Sequence, residues 1–402
     1  MDSYVVIGAG QAGGRAVEAM RASGFEGRIE LIGAEPHLPY ERPPLSKELL
    51  TEDVPFELMH DSAWYSAKNI SVHLGAPVTA VDSSAKKVTL GESQVLSYDK
   101  LLLTTGGTPR KLRISGVSLT GVEYLRTIEE SRAIGKLLSE DARIVVVGGG
   151  FIGLEIAASA RKRGCQVTVL EATDRLMGRA LPPEISHAYE ALHRGSGVDI
   201  CLNTAIERIE GTGTVEAVVT AAGDRIDADG VVIGIGINPD TALAEAAGLE
   251  IADGIAIDEF CRTSDPLIYA AGDATDHPNP FVGRRLRLES WQNAQNQAIA
   301  AANNMCGAET PFSEVPWFWS DQFDVNLQMC GAPSKWDRII TRGNIAACDG
   351  LLFQKQGDII VGAIGLNRPR DMRFIKRMMG ASKTATDEQL ADENVGFRDL
   401  MR

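Results

Sequence analysis

Two stretches of the chain carry the glycine spacing GxGxxG directly after a run of β-branched residues. The first is YVVIGAGQAGGRAVEAMRASG (4–24) and the second is IVVVGGGFIGLEIAASARKRG (144–164). Gly8, Gly10, Gly13 and Gly24 recur 140 residues later as Gly148, Gly150, Gly153 and Gly164. In such a motif the glycines permit a tight strand-to-helix turn, a close approach of backbone to a pyrophosphate, and close helix–strand packing. The helix N-terminus then offers free N–H groups and a partial positive charge. The two copies predict two dinucleotide sites.

An acidic residue at the end of the next strand can accept hydrogen bonds from ribose hydroxyls. Each copy is followed by such a strand, RIELIG (28–33) in the first and QVTVLE (166–171) in the second. Glu171 ends the second strand, and its charge disfavours the extra phosphate of NADP, so we expect NADH. The alternative is a duplicated Rossmann fold in which one copy binds nothing.

A third motif supports the first copy. In TSDPLIYAAGDAT (263–275), an apolar strand ends at Gly272 and Asp273. A carboxylate at that position can hold a ribitol hydroxyl, while the alternative is that Asp273 caps a following helix.

The elements that must position these residues belong to a chain of 402 residues, long enough for two or three domains. The net charge of −14 argues against general nucleic-acid binding. We see no candidate membrane span or cleavable leader. The six cysteines are at least 18 residues apart, which indicates a reducing cytoplasm. No HExxH or similar spacing occurs, so we expect no protein-bound metal.

Two GxGxxG motifs and a late AxGD resemble those of flavoprotein reductases that bind two dinucleotides. LPYERPPLSK, LRTIEES and VPWFWSDQ narrow the resemblance to the FAD- and NADH-dependent ferredoxin reductases of oxygenase systems. It implies an α/β fold with two Rossmann-like domains of the glutathione-reductase type and a C-terminal α+β domain. The implied domains are FAD-binding (1–110 and 240–318), NAD-binding (111–239) and C-terminal (319–402).

The resemblance also implies that Lys47 lies beside the reactive nitrogen of the flavin and pairs with Glu155 across the cleft where nicotinamide meets flavin. We expect Pro44 to begin a short helix, LSKELL, that fixes the direction of Lys47. A buried lysine needs a carboxylate partner, because otherwise it would lose its proton. Without the resemblance, Lys47 would be interpreted as a surface lysine.

Other positions match the family one by one. Ala12 and Gly13 belong to the FAD phosphate turn, and Gly236, in VVIGIGINPD (231–240), is a further candidate cofactor-binding residue. Arg42 and Arg126 match arginines near the FAD phosphates, and Val78 a backbone contact to adenine. Trp291 and Trp319 match an aromatic surround of the flavin, although ordinary packing is the alternative. Ala34 stands where relatives carry the first ribose carboxylate, and we expect Glu35 to replace it.

The implied reaction passes a hydride from NADH to FAD, and then single electrons to a 2Fe–2S ferredoxin that feeds an oxygenase or cytochrome P450. Such ferredoxins are usually acidic, and a local basic patch on this acidic chain would resolve the conflict between the two charges. Arg370, Arg373 and Arg377 share one face of a predicted helix and form the candidate patch. Arg284, Arg285 and Arg287 form a second cluster. The alternative for both clusters is a solvated charged surface.

Several other functions use the same architecture. Disulfide reductases, and oxidases or peroxidases with a flavin-side cysteine, need cysteines near the first helix, but residues 1–164 contain none. A flavin monooxygenase, an NADH oxidase and a signalling flavoprotein resembling apoptosis-inducing factor remain as alternatives. The sequence leaves the oligomeric state open.

Overall fold

Strands and helices alternate along most of the chain in the computed structural model, which describes residues 2–52 and 54–401. The strands are β1 Ser3–Ile7, β2 Arg28–Ile32, β3 Ile70–His73, β4 Val78–Asp82, β5 Lys87–Leu90, β6 Gln94–Ser97, β7 Lys100–Leu103, β8 Gly107–Pro109, β9 Val122–Tyr124, β10 Arg143–Val147, β11 Gln166–Leu170, β12 Val198–Cys201, β13 Ile206–Thr212, β14 Thr214–Thr220, β15 Arg225–Asp227, β16 Gly230–Ile233, β17 Ile237–Pro239, β18 Ile255–Ala256, β19 Ile268–Ala270, β20 Thr275–Asn279, β21 Arg284–Leu286, β22 Trp317–Gln322, β23 Val325–Gly331, β24 Arg338–Asn344, β25 Asp349–Gln356 and β26 Ile359–Leu366. The helices are α1 Gln11–Ala22, α2 Glu48–Thr51, α3 Ser62–Ala67, α4 Ile128–Leu137, α5 Phe151–Lys162, α6 Pro183–Gly195, α7 Ala242–Ala246, α8 Trp291–Met305, α9 Pro369–Gly380, α10 Asp387–Ala391 and α11 Phe397–Leu400, with 3-10 helices at Pro43–Ser46 and Ile345–Ala347.

The chain divides into two compact units. The first unit comprises the residues up to Glu41 together with Phe56–Thr108 and Asn238–Phe318. The second comprises Arg42–Pro55, Pro109–Ile237 and the residues from Trp319 on. The three-domain division expected from the sequence stays a prediction, because these units keep its second and third parts together.

The first unit is built on a parallel sheet of order β19-β7-β1-β2-β3. Every residue of β1 is buried, as expected for a parallel strand covered on both faces. Helix α8 packs against α1. Ala16 of α1 and Ala298 and Ala301 of α8 are all fully buried, and such small side chains allow packed helices to approach closely.

The second unit repeats this arrangement with a parallel sheet of order β12-β11-β10-β16-β9. Helix α5 packs on β10 and β11. The strand–turn–helix–strand context predicted for both glycine motifs is therefore confirmed, and so is the α/β class.

The last part of the chain forms an antiparallel sheet of order β22-β23-β26-β25-β24. The strands predicted at LLFQK and IIVGAIG and the helix predicted after Pro369 all occur, as β25, β26 and α9. Helix α9 buries Met372, Ile375 and Met378 against β23 and β26.

Within residues 2–52 and 54–401, none of the helices combines the length and the hydrophobicity that crossing a bilayer requires.

The change of the unfolding free energy with pH should depend on His277 in β20. This residue is 1% exposed, and neither ring nitrogen has a hydrogen-bond partner among the described residues. Burial lowers its pKa to about 4. Between that value and the ordinary histidine pKa, only the unfolded chain binds the proton, so stability falls as the pH drops.

Between about pH 7 and about pH 5, the wild type should lose about 2 kcal/mol more of its unfolding free energy than H277F does. Urea unfolding at the two pH values measures this. H187Q, which changes an exposed histidine of α6, should behave like the wild type. An equal loss in H277F and the wild type would contradict the prediction.

Candidate dinucleotide-binding site

The first glycine turn joins β1 to α1. Gly8 has a φ of +110°, which favours glycine. A Cβ on Gly13 would lie 1.8 Å from the carbonyl oxygen of Gly8. Helix α1 begins after Gly10, and no side chain caps its N-terminus. Its first N–H groups therefore lack a side-chain acceptor from the N-cap residue, as a phosphate-binding helix requires.

The second glycine turn has the same geometry between β10 and α5. Gly148 has a φ of +107°, and a Cβ on Gly153 would lie 2.2 Å from the carbonyl oxygen of Gly148. Gly150 is the N-cap of α5 and again provides no side-chain cap. A Cβ on Gly150 would meet no atom closer than 4.0 Å, so the backbone there is open to a ligand.

Glu171 follows β11 and is held beside the second turn. Its Oε2 accepts a hydrogen bond from the Gly149 N–H at 2.7 Å. Its Oε1 accepts from the N–H and the hydroxyl of Thr173 at 2.8 and 2.7 Å. A carboxylate accepts about four hydrogen bonds, so this fixed carboxylate retains capacity for a ribose hydroxyl.

Gly272 lies next to the first turn. It has a φ of +89°, and a Cβ there would lie 3.4 Å from the Ala12 side chain. Asp273 follows it and is partly buried. The helix-cap alternative for Asp273 is wrong, because the next element is strand β20.

Glu35 lies two residues after Gly33, just past β2, and is partly buried, while Ala34 is exposed. Its carboxylate accepts a hydrogen bond from the Tyr40 hydroxyl at 2.6 Å, which fixes its orientation. Val78 is the first residue of β4 and pairs with Leu90. The roles expected for Glu35 and Val78 stay predictions.

Lys47 lies at a break between two short helices. The expected helix from Pro44 through LSKELL is wrong, because a 3-10 helix, Pro43–Ser46, precedes α2. Lys47 has φ −125° and ψ −102°, which is not helical. The Ser159 hydroxyl donates to the Ser46 carbonyl at 2.7 Å, and the Ser131 hydroxyl donates to the Leu45 carbonyl at 2.8 Å. Two serines from α5 and α4 thus fix the 3-10 helix.

The expected ion pair is present within the second unit. Lys47 Nζ lies 3.2 Å from Glu155 Oε1, with side chains 15% and 4% exposed. The Ser46 hydroxyl donates to Oε2 at 2.5 Å, and the Ser320 hydroxyl donates to Oε1 at 2.6 Å. Burial raises the pKa of Glu155 above its ordinary value, and the Lys47 charge and the two hydroxyls oppose that shift.

The remaining candidates form small groups inside each unit. Lys47 Nζ lies 5.9 Å from the ring centroid of Trp319, within range of a cation–π contact. Arg42 donates to the Arg126 carbonyl. Trp291 begins α8, and its indole N–H donates to Glu41.

Gly236 follows β16 with a φ of +104°. A Cβ there would lie 3.6 Å from the Arg179 guanidinium. The candidate residues of the second unit are Arg42, Lys47, Arg126, Glu155, Trp319 and the glycines from Gly148 to Gly236. Those of the first unit are Gly8, Gly10, Ala12, Gly13, Glu35, Val78, Gly272, Asp273 and Trp291.

Sequence reasoning missed Ser46 and Ser320, the two hydroxyl donors to Glu155. Ser320 is 165 residues from Glu155 in the chain, and no local pattern links the two. The one available signal is a serine inside the aromatic strand WFWSDQ, where a buried hydroxyl needs a partner.

The chain belongs to the pyridine nucleotide-disulphide oxidoreductase family. Residues 2–298 match the model of that family, and residues 317–401 match a second model described as Reductase C-terminal. Two glycine turns and a separate antiparallel C-terminal sheet agree with this assignment.

Relatives align with the whole chain. The ferredoxin–NAD(+) reductase component of an anthranilate 1,2-dioxygenase system from Burkholderia cepacia is 42% identical, covering 100% of this chain and 99% of the relative. Putidaredoxin reductase from Pseudomonas putida is 38% identical, covering 100% and 97%. The crystal structure of a covalent putidaredoxin reductase–putidaredoxin complex superposes with a TM-score of 0.96 at 38% identity, covering 100% of this chain and 98% of that one. The resemblance to ferredoxin reductases of oxygenase systems is confirmed.

Removing one member of the Lys47–Glu155 pair should cost more than removing both charges. We expect K47M to lose about 3 kcal/mol of unfolding free energy, because Glu155 is left buried without its cation. Adding E155Q should recover at least half of this loss, since the amide keeps hydrogen-bonding capacity without charge.

Urea unfolding at neutral pH measures both variants. K87M changes an exposed lysine of β5 and should stay within about 0.5 kcal/mol of the wild type. If K47M behaves like K87M, the pair does not stabilise the fold.

Proposed function

We propose that this protein is an FAD-dependent NADH:ferredoxin oxidoreductase. It takes a hydride from NADH and passes single electrons to a 2Fe–2S ferredoxin that feeds an oxygenase or a cytochrome P450. The observation that carries this conclusion is the pair of glycine turns in a chain that aligns over its full length with a ferredoxin–NAD(+) reductase.

The residues at both turns have the properties that a dinucleotide requires. Each helix N-terminus lacks a side-chain cap, and the third glycine of each turn leaves no space for a Cβ. In the first unit, Gly8, Gly10, Ala12, Gly13, Gly272 and Asp273 would hold FAD, with Glu35, Val78 and Trp291 as further contacts. The family resemblance adds Arg42, Arg126 and Trp319 to the residues expected near FAD. Gly148, Gly150, Gly153, Glu171 and Gly236 would hold NADH.

Bound FAD converts the two-electron chemistry of a nicotinamide into one-electron steps. Lys47 and Glu155 are the side chains that we assign to this reaction. Glu155 keeps the Lys47 ammonium oriented, and Lys47 would stabilise the negative charge that develops during hydride transfer. No side-chain acid or base is needed for a hydride.

We further propose the three-domain division expected from the sequence and a cytoplasmic location. All six cysteines are free, in agreement with a reducing compartment.

A basic patch on α9 is our candidate for ferredoxin docking. Arg370, Arg373 and Arg377 are all exposed, on the face opposite the buried methionines of the helix. In the second cluster, Arg285 and Arg287 already pair with Asp276 and Glu289. The α9 patch is therefore the better candidate.

Separate alanine substitutions should distinguish the two dinucleotide sites. G13A should lose the yellow colour of bound FAD, because its Cβ would overlap a backbone oxygen of the first turn. G153A should stay yellow and be bleached by dithionite, but not by NADH under anaerobic conditions. Absorbance spectra measure both effects.

G195A is the matched control, since a Cβ on Gly195 would meet no atom within 4 Å. It should bind FAD, react with NADH and reduce cytochrome c only when a 2Fe–2S ferredoxin is added. A folded wild type that binds no flavin would refute the proposal. Cytochrome c reduction without ferredoxin would refute the assigned acceptor.

Charge reversal should locate the docking surface. R373E/R377E should lower ferredoxin-dependent cytochrome c reduction at least about tenfold at low salt and leave dye reduction unchanged. The control K87E/R113E makes the same charge change at exposed positions outside α9. Equal effects of the two double variants would rule out α9 as the docking surface.

A further inference from the structure

A buried chain of polar side chains runs from α6 to the Lys47–Glu155 pair inside the second unit. His193 Nε2 lies 2.8 Å from Gln322 Oε1. Gln322 Nε2 lies 3.1 Å from the Ser320 hydroxyl oxygen, which in turn lies 2.6 Å from Glu155 Oε1. His193 and Ser320 are fully buried, Gln322 is 1% exposed, and the function proposed above assigns none of the three a role.

The direction of every hydrogen bond in this chain is determined by chemistry. Burial lowers the pKa of His193 to about 4, so its ring is neutral at physiological pH. Its Nδ1 has no partner among the described residues, so Nε2 carries the hydrogen and donates to Gln322. The Gln322 amide group must then donate to Ser320. Ser320 has one hydroxyl hydrogen, and Glu155 is its acceptor.

Strand β22 supplies the middle of the chain because residues two apart in a strand lie on the same face. Ser320 and Gln322 therefore both face α5 and α6. The ring of Phe323 packs edge-on against His193 at 5.0 Å between centroids, which limits movement of the imidazole. Each donor is thus held by a rigid element.

A chain with this direction favours the ionised form of Glu155. If Glu155 carried a proton on Oε1, Ser320 would accept from both Glu155 and Gln322, and its own hydrogen would lose its acceptor. Three other groups act on Glu155: the Ser46 hydroxyl, which donates to Oε2, Lys47, after the 3-10 helix, and Tyr189, on α6. Burial holds the pKa of Tyr189 far above its ordinary value, so it stays neutral.

We propose that Ser320, Gln322 and His193 are positioning residues, a one-way series of hydrogen-bond donors that keeps the Glu155 carboxylate ionised and aimed at Lys47. The role of the Lys47–Glu155 pair in hydride transfer rests on the function proposed above. The effect on Glu155 itself does not.

The test is a pH titration of Glu155 in the FAD-loaded protein without NADH. The infrared band of its protonated carboxyl group reports the titration, and its loss in E155Q assigns it. S320A removes a charge-assisted hydrogen bond, so the midpoint should rise by about one to two pH units. S320T keeps the hydroxyl and should restore the wild-type midpoint.

S186A is the matched control. Ser186 is also a fully buried serine of this unit, but its hydroxyl has no partner among the described residues. It should leave the midpoint unchanged. If S320A and S186A give the same midpoint, the proposal is overturned.

H193L and Q322L test the outer part of the chain, and they carry the experiment if S320A does not fold by circular dichroism. Each should shift the midpoint upward by less than S320A, and H193Q, which keeps a donor, by less than H193L. Wild-type midpoints in folded H193L and Q322L would overturn the roles proposed for His193 and Gln322. Neither NADH nor ferredoxin takes part, so a protein that fails to reduce ferredoxin but shows these shifts would refute the function alone.

Discussion

One constraint shapes the second unit: Lys47 and Glu155 bury their side chains together as an ion pair. Taking two charges out of water costs several kcal/mol per ion before their attraction and hydrogen bonds offset it. The hydroxyls of Ser46 and Ser320 donate hydrogen bonds to Glu155 and so offset part of that cost. Serine donors on α4 and α5 also anchor the 3-10 helix. These contacts explain why Arg42–Pro55 belongs to the second unit although it lies between two segments of the first.

The two glycine turns have the same backbone geometry. In each, a strand enters a helix through a glycine with φ above +100°, and the third glycine approaches the carbonyl of the first too closely for any side chain. What differs between the copies is the residue that follows the next strand. Glu171 is fixed by the Gly149 N–H and Thr173, whereas Glu35 lies two residues beyond Gly33 and is fixed by Tyr40. The second copy thus retains the arrangement expected for NADH, and the first departs from it.

Sequence reasoning predicted the parts of this fold that local patterns specify. The glycine spacing and β-branched runs predicted both strand–turn–helix units, and the apolar runs near the C-terminus predicted β25 and β26. It failed where tertiary contacts decide the conformation. LSKELL has helical composition, yet contacts of Ser46 and Leu45 with α5 and α4 break the helix at Lys47. Asp273 is of a residue type that often caps helices, but a strand follows it. The hydroxyl donors to Glu155 come from distant segments, which no spacing rule connects.

The charge of the whole chain and the charge of α9 act over different distances. The net charge of −14 describes the whole molecule, but at physiological salt the field of exposed charges decays over about 8 Å. A partner that contacts α9 therefore responds mainly to the arginines on that helix. Their outward direction is set by the core, because Met372, Ile375 and Met378 bury the opposite face. Packing of the C-terminal sheet thus determines where an acidic chain presents positive charge, and this is why the proposed docking of an acidic ferredoxin at α9 is consistent with an acidic reductase.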